Sequence, residues 1–355
     1  MNGVWWEYVL ILSGTMALCA GLTPFLIAYA TQAKLLDLPG GHKSHEQAIP
    51  YLGGVAIVIT FSSAAVVMSI IQPPHSGRTE LLVILGIALA LSVVGLIDDL
   101  KELSPAWRLV VEVAAAVAVW AFGNGTNMTD IQALDLGLTV LWFVGITNAF
   151  NLLDNMDGLA AGLAAITSLT IFAIATNNGQ FLVAALSIGL AGCAVGFLRH
   201  NFHPAQIYMG DGGALFLGFV IAYLGIKLRF EGGRKLSALI PVLACSTAVL
   251  DTTLVSVSRL IAKRSPFQGG QDHISHRLVK VGLSVPVAVA TIYLGAISVG
   301  VLTFVISSAD PGSAWVLIGL VGIALALVGG FLLTVSVYPD GLEHDSPISD
   351  HSEDS

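Results

Sequence analysis

Charge is scarce in this chain. Asp, Glu, Lys and Arg supply only 11% of its 355 residues, against roughly 25% in soluble domains. Hydrophobic residues make up 55%, and the mean hydropathy is +0.84, which argues against a water-soluble globule. Cysteine is scarcer still: Cys19, Cys193 and Cys245 stand far apart inside apolar stretches. That excludes a CxxC redox pair or a thiolate zinc site and leaves them as small core residues. Basic patches with interleaved aromatics are missing, so nucleic acid is not an expected partner. The N-terminus lacks the basic region of a cleaved signal, and its first apolar run is long, so it reads as a retained helix. No repeat of hydropathy relates the two halves, and no soluble domain interrupts them.

Long apolar runs are what the chain has instead. A membrane helix needs about 20 mostly apolar residues. Eleven runs meet or approach that length, at 8–30, 51–71, 81–97, 106–122, 136–150, 158–176, 180–198, 213–228, 236–258, 286–307 and 314–337. The expected fold is an all-α polytopic membrane protein of about eleven transmembrane helices, forming one domain over residues 1–338. Residues 339–355 form an acidic tail holding six of the 23 acids, and they read as a solvated, disordered cytoplasmic end.

Basic residues favour the cytoplasmic side. With the N-terminus outside, Lys34, Lys43, Lys101, Arg108, Arg199, Arg259, Lys263, Arg264, Arg277 and Lys280 fall inside. Arg78, Lys227, Arg229, Arg234 and Lys235 fall outside. This ten-to-five split predicts the N-terminus outside and the C-terminus cytoplasmic. The same alternation puts six of nine histidines inside, with Asp98, Asp99, Asp154, Asp157, Asp211 and Asp272. The polar chemistry is therefore one-sided.

Five segments on that side could carry chemistry. Asp98-Asp99 closes the third run, where adjacent carboxylates repel unless a cation or basic group lies between them; alone, the pair reads equally as a charged helix end. In Asn148-Ala-Phe-Asn151-Leu-Leu-Asp154-Asn-Met-Asp157-Gly158, a regular helix would set Asn148 and Asp157 on opposite sides. A single site would need the backbone to turn there, which Gly158 makes cheap; interhelical hydrogen bonding is the plainer alternative. Tyr208-Met-Gly-Asp211-Gly-Gly-Ala opens the eighth helix, where free N–H groups could face an anion or Asp211 could simply cap. Asp272-His273-Ile-Ser-His276-Arg277 suits a phosphate or sugar better than zinc, or else meets lipid headgroups. Asp37-Leu-Pro-Gly-Gly-His42-Lys43-Ser-His45 makes an electropositive loop suited to phosphate, or an ordinary basic interfacial loop. Asp251, inside the ninth run, is expected to take a structural hydrogen bond from Ser or Thr.

Several carboxylates with amide support suggest a hard cation. Mg²⁺ takes one or two protein carboxylates and completes its shell with water and phosphates, and Mn²⁺ is an alternative. Basic loops around it point to phosphoryl transfer by positioning and charge stabilisation, with one soluble and one lipid phosphate as substrates.

These segments, in order from about 37 to 283, resemble the polyprenyl-phosphate N-acetylhexosamine-1-phosphate transferases, the MraY/WecA superfamily. The matching stretches are Asp37-Leu-Pro with His42, Lys43 and His45, then Asp98-Asp99, NAFNLLDNMDGLA, GDGGALFLG and SPFQGGQDHISHR. The resemblance implies that a UDP-N-acetylhexosamine and undecaprenyl phosphate give a lipid-linked diphospho-sugar and UMP. It implies catalytic roles for Asp98, Asp99, Asp154 and Asp157, with Asp211, Asp99 and Asn151 at the metal. Lys43, His45, Asn151, His273, His276 and Arg277 would bind substrate. The implied partners are those two substrates and membrane lipid, with a second copy of the chain as a further candidate. The chain has Gly210-Asp211-Gly212-Gly213-Ala214 where the family often has GDxGS, and Asp154-Asn155-Met156-Asp157-Gly158 where it often has DGxDG. The clustered histidines of the muramoyl-pentapeptide branch are absent, and HISHR resembles the branch using simple UDP-sugars. The alternatives are phospho-MurNAc-pentapeptide transfer, a divalent-cation transporter and a non-catalytic scaffold. A transporter would place its ionisable groups near the bilayer midplane, whereas here they gather at one edge.

Overall fold

The computed structural model describes residues 4–37, 48–71, 77–101, 103–230, 234–265 and 270–337. The long helices are α1 (Trp5–Gln32), α2 (Gly53–Ile71), α3 (Arg78–Lys101), α4 (Pro105–Ala121), α5 (Gln132–Leu153), α6 (Leu159–Asn177), α7 (Phe181–Asn201), α8 (Gly210–Lys227), α9 (Arg234–Ala244), α10 (Ser246–Ile261), α12 (Val285–Ser308) and α13 (Pro311–Leu333). A short α11 (Ile274–Lys280) precedes α12. Strands β1 (Leu36–Asp37) and β2 (Ile49–Pro50) pair antiparallel, Leu36 opposite Pro50.

Each predicted run has a helical counterpart. Nine helices among the described residues are long and apolar enough to cross a membrane, and α9 with α10 makes up to ten. The 236–258 run is not one straight helix as its hydropathy suggests, because it bends by 78° between α9 and α10. Pro241 lies inside α9, where it cannot donate to the preceding turn. The 106–122 run becomes α4, only 17 residues long.

In lipid, helices gain little from hiding apolar side chains, so association rests on close packing and hydrogen bonds. Trp5, Phe25, Leu294, Leu327 and Phe331 accordingly point outward, while α6, α7 and α8 form the buried centre. Small residues set the spacing: a Cβ on Gly192 would lie 2.6 Å from the Leu12 carbonyl oxygen, and one on Gly196 2.4 Å from that of Met16. Thr15 and Thr23 spend their hydroxyls on carbonyls of their own helix, at Ile11 and Cys19. All three cysteines are buried and unpaired, as expected.

Antiparallel succession gathers the start of α8, the ends of α3, α5, α7 and α10 and the starts of α2, α4, α6 and α12 at one end of the bundle. At the other end, Glu80 of α3 pairs with Lys227 of α8 and accepts from Tyr223 at 2.6 Å. Lys227 also donates to Asn124 at 2.6 Å. Asp135, at the start of α5, accepts from the Met128 and Thr129 amides, each at 3.0 Å.

Candidate active site

The start of α8 is the focus of the polar end. Gly210 has φ +74°, a left-handed conformation that glycine adopts freely, and a Cβ there would lie 2.7 Å from Asp99 Oδ2. Two amides at the start of α2 fix this turn from outside: Gly53 donates to the Tyr208 carbonyl at 2.9 Å and Gly54 to that of Met209 at 2.8 Å. A Cβ on Gly54 would lie only 2.3 Å from Gly213 Cα, so α2 and α8 meet backbone to backbone.

Helix starts leave amides without intrahelical partners. The sequence leaves open whether those of α8 face an external anion or are capped by Asp211, and the chain supplies a different carboxylate. Asp99 Oδ1 accepts from the Asp211 amide at 2.8 Å and Oδ2 from the Gly212 amide at 3.2 Å. Asp211 itself is therefore not the cap. Its Oδ1 accepts from Asn151 Nδ2 at 2.7 Å and its Oδ2 from Arg108 Nη1 at 2.9 Å.

Asp98 and Asp99 part company because consecutive helical residues point about 100° apart. Asp98 is buried and accepts from the Leu103 amide at 2.6 Å and Arg108 Nη1 at 3.0 Å. Arg108 bridges Asp98 and Asp211, while Asp99 takes backbone amides of α8 instead. In the sequence Arg108 stands out only as one of the basic residues assigned to the inside. One turn later on α4, Glu112 is 3% exposed. Its Oε2 accepts from Asn148 Nδ2, and its Oε1 lies 4.0 Å from Arg108 Nε.

The α5–α6 corner divides the second motif. Helix α5 ends at Leu153, Asp154 is its C-cap, and Gly158 turns at φ +77° before α6, so the expected break is present. Asn148 and Asn151 remain on α5, one turn apart, and both reach the acidic cluster. Burial raises the Asp154 carboxyl to about 7, helped by the charges of Asp211 and Asp99. Asp157 faces the other way, with Oδ2 2.8 Å from His203 Nδ1 and 3.0 Å from the Ala205 amide. It stands at the edge of the cluster rather than its centre.

The fourth motif joins this corner through Ser275, whose hydroxyl donates to Asn155 Oδ1 at 2.7 Å. His273 is buried, with Nδ1 2.6 Å from Asp251 Oδ2, while Asp251 Oδ1 accepts from the Ile274 amide at 2.7 Å. The expected Ser or Thr partner for Asp251 is thus replaced by a histidine 22 residues on. His276 is half-buried, its ring centroid 6.2 Å from that of His273. Burial first, then the neighbouring His273, lowers its pKa to about 4, so it is neutral near pH 7. Asp272 pairs with Arg259 through two 2.7 Å bonds.

Arg277 differs from its expected substrate-binding role. It is 1% exposed and donates to the carbonyls of Asp272, Leu332 and Val335 and to the Ser258 hydroxyl. Its guanidinium ties α11 to α10 and the end of α13. Lys43 and His45, and the acidic tail, lie outside the described residues.

The cluster suits a hard divalent cation by its chemistry. Asp99, Asp154 and Asp211 offer carboxylate oxygens around the Gly210 turn, beside the Asn151 amide, and with Asp98 they outnumber the nearby guanidinium. No three His, Cys, Asp or Glu side chains among the described residues form a ready-made metal cage. Mg²⁺, which keeps water and substrate oxygens in its shell, fits such a partial set better than a metal needing an all-protein cage.

Comparisons with known proteins agree with this architecture. Residues 81–229 match the family model described as "Glycosyl transferase family 4". A Bacillus subtilis protein named "Probable undecaprenyl-phosphate N-acetylglucosaminyl 1-phosphate transferase" is 34% identical, covering 81% of this chain and 82% of that one. The decaprenyl-phosphate N-acetylglucosaminephosphotransferase of Mycolicibacterium smegmatis is 32% identical, covering 91% and 90%. The phospho-N-acetylmuramoyl-pentapeptide-transferase of Bacillus subtilis is 32% identical over only 59% of this chain and 72% of its own. With its helix order, one-sided acids and this kinship, the multi-pass chain belongs to the polyprenyl-phosphate N-acetylhexosamine-1-phosphate transferases of the MraY/WecA superfamily, on the WecA-like branch.

Proposed function

We propose that the chain transfers N-acetylglucosamine 1-phosphate from UDP-N-acetylglucosamine to undecaprenyl phosphate, releasing UMP, at the cytoplasmic face of the cell membrane. The observation that carries this reading is the convergence of Asp99, Arg108 and Asn151, from three helices, on Asp211 and its amide at the start of α8. The relatives' names favour N-acetylglucosamine among the hexosamines and, by coverage, disfavour the muramoyl-pentapeptide donor. The ten-to-five distribution of basic residues favours an outside N-terminus and a cytoplasmic C-terminus. Eleven crossings follow if α4 spans despite its length and bent α9–α10 counts as one.

In this reaction an oxygen of the lipid phosphate attacks the sugar-linked phosphorus of the nucleotide. A new P–O–P link forms, the bond to the uridine-bearing phosphate breaks, and the UMP oxygen keeps the electron pair. A phosphate monoester's second pKa is about 6, so the nucleophile is already largely ionised at neutral pH and no strong base is needed. Asp98 fits that view, being committed to Arg108 and the Leu103 amide. Its role is to hold Arg108.

Asp211, with Asn151, Asp99 and Asp154 beside it, would hold Mg²⁺ or Mn²⁺, which when bound offsets negative charge on the diphosphate. Asp99 fixes the α8 start that carries Asp211. Asp251 fixes the ring of His273, leaving Nε2 to turn toward the sugar-diphosphate beside neutral His276. Lys43 and His45 remain candidates for a phosphate contact.

The test is to incubate the purified chain in lipid nanodiscs with undecaprenyl phosphate, Mg²⁺ and a panel of UDP-sugars, then weigh the lipid product. The expected mass is that of undecaprenyl diphospho-N-acetylglucosamine, with UMP released in equal amount. A muramoyl-pentapeptide product would redirect the donor assignment. Absence of any lipid product, with divalent-cation flux in liposomes, would replace the enzyme by a transporter.

A further inference from the structure

The acidic cluster is not left bare. Arg108 Nη1 lies between Asp98 Oδ2 and Asp211 Oδ2, at 3.0 and 2.9 Å. It therefore occupies, with a positive charge of its own, an Asp211 oxygen that a divalent cation would use. Among the described residues both of its hydrogen bonds come from Nη1, so Nε and Nη2 are uncommitted. Nε faces Glu112 Oε1 at 4.0 Å, and that oxygen is buried without any hydrogen bond. A buried carboxylate oxygen normally has a partner, and closing this gap to an ordinary ~2.9 Å bond needs a shift of roughly 1 Å.

The surrounding contacts make Glu112 a fixed receiver. Its other oxygen is held by Asn148, which also donates to the Val144 carbonyl at 2.9 Å. Asn151, one turn along the same helix, holds the second oxygen of Asp211 at 2.7 Å. Asn148 and Asn151, one turn apart on α5, thus hold Glu112 and Asp211 on either side of Arg108, which is hydrogen-bonded to Asp211 and only within 4.0 Å of Glu112.

We propose that Arg108 is a resident placeholder for the divalent cation. It neutralises Asp211 in the empty site and passes to Glu112 when the cation arrives. Glu112 is then a positioning residue whose task is to receive the displaced guanidinium. The proposal rests on the reading that a cation binds at Asp211.

Mn²⁺ alone is the probe, added to the full-length chain in nanodiscs without substrate and followed by loss of its free electron paramagnetic resonance signal. Wild-type binding that disappears in D211N supports the underlying reading; no binding, or binding indifferent to D211N, overturns both reading and proposal. Given that binding, R108Q should bind Mn²⁺ about tenfold more tightly, since a like charge within ~4–6 Å opposes charging by one or more powers of ten. Weaker or unchanged binding in R108Q would make Arg108 a structural prop and overturn the proposal. E112Q should weaken binding several-fold in the wild-type background and have little effect in the R108Q background. An equal loss in both would mean that Glu112 acts by its own field, which removes its receiving role. If R108Q does not fold, R108K serves: one ammonium keeps the charge at Asp98 and Asp211 but cannot span to Glu112, so binding should weaken, and wild-type affinity would refute the handover.

Discussion

At one end of the bundle Glu80 meets Lys227, Tyr223 donates to the same carboxylate, and Asn124 takes up the lysine's remaining reach. At the other end Asp98 and Asp211 share Arg108, while Asp99 and Asp154 lie close to Asp211 with no cation of their own among these contacts. Both ends use α3 and α8, so the same two helices carry a balanced ion pair at one tip and an acidic excess at the other. Stability alone would favour balance at both, since unpaired acids near apolar helices are costly. The imbalance is what the proposed divalent cation would offset.

The sharpest way to break this comparison is to neutralise one acid at each end. Asp211→Asn should lower transfer by at least roughly 10²–10³-fold, the scale seen when an electrostatic contact at a reacting group is removed. Glu80→Gln should leave the initial rate within about twofold. Equal losses, measured as labelled lipid product in nanodiscs, would mean that both tips serve the chemistry.

Packing offers a second contrast. Gly54→Ala drives a methyl to 2.3 Å from Gly213 Cα and should cost about 1–3 kcal/mol or more, as overpacking does. Gly137→Ala, near the α5 start at the other end, meets nothing within 4 Å and should stabilise by up to ~1 kcal/mol. Unfolding midpoints in detergent separate the two.

A pH titration sharpens the contrast further. Asp154 holds its proton to about 7 when folded, but releases it near ~4 when unfolded. Between those values the folded state binds more protons, so stability should fall as pH rises from about 4 to about 7. The slope should appear in the unfolding midpoint of the chelator-treated protein and become shallower in Asp154→Asn.

The smallest effect belongs to the balanced end. Lys227→Met should cost no more than about 1 kcal/mol, because the pair is partly exposed and such pairs contribute little. A larger loss would show that this end, too, is under electrostatic tension.

Much of the site could be read from the sequence because polar residues stand out in apolar chain. Asp98, Asp99, Asn151, Asp154 and Asp211 were all visible for that reason, and Gly158 marked the turn. Pairings between distant segments were not visible. Nothing near Asp251 points to His273, and nothing near Arg108 tells that it serves Asp211 rather than lipid headgroups. The bend after α9 hid inside a continuous hydropathy signal, with Pro241 its one local clue. The carbonyls of Leu332 and Val335 that Arg277 satisfies at the end of α13 were equally invisible, since they lie 55 and 58 residues further along the chain.

The bond from Asp99 to the first amide of α8 also has a history in time. It joins residues 112 positions apart, whereas Asp98 and Arg108 are only 10 apart. At synthesis rates of about 5–20 residues per second, Asp98 gains its arginine within roughly two seconds of being made. Asp99 waits on the order of 10 s for the amides it will cap. A nascent chain halted before Gly210 therefore carries an unfinished carboxylate at the end of α3, and the emergence of α8 supplies the amides that complete it.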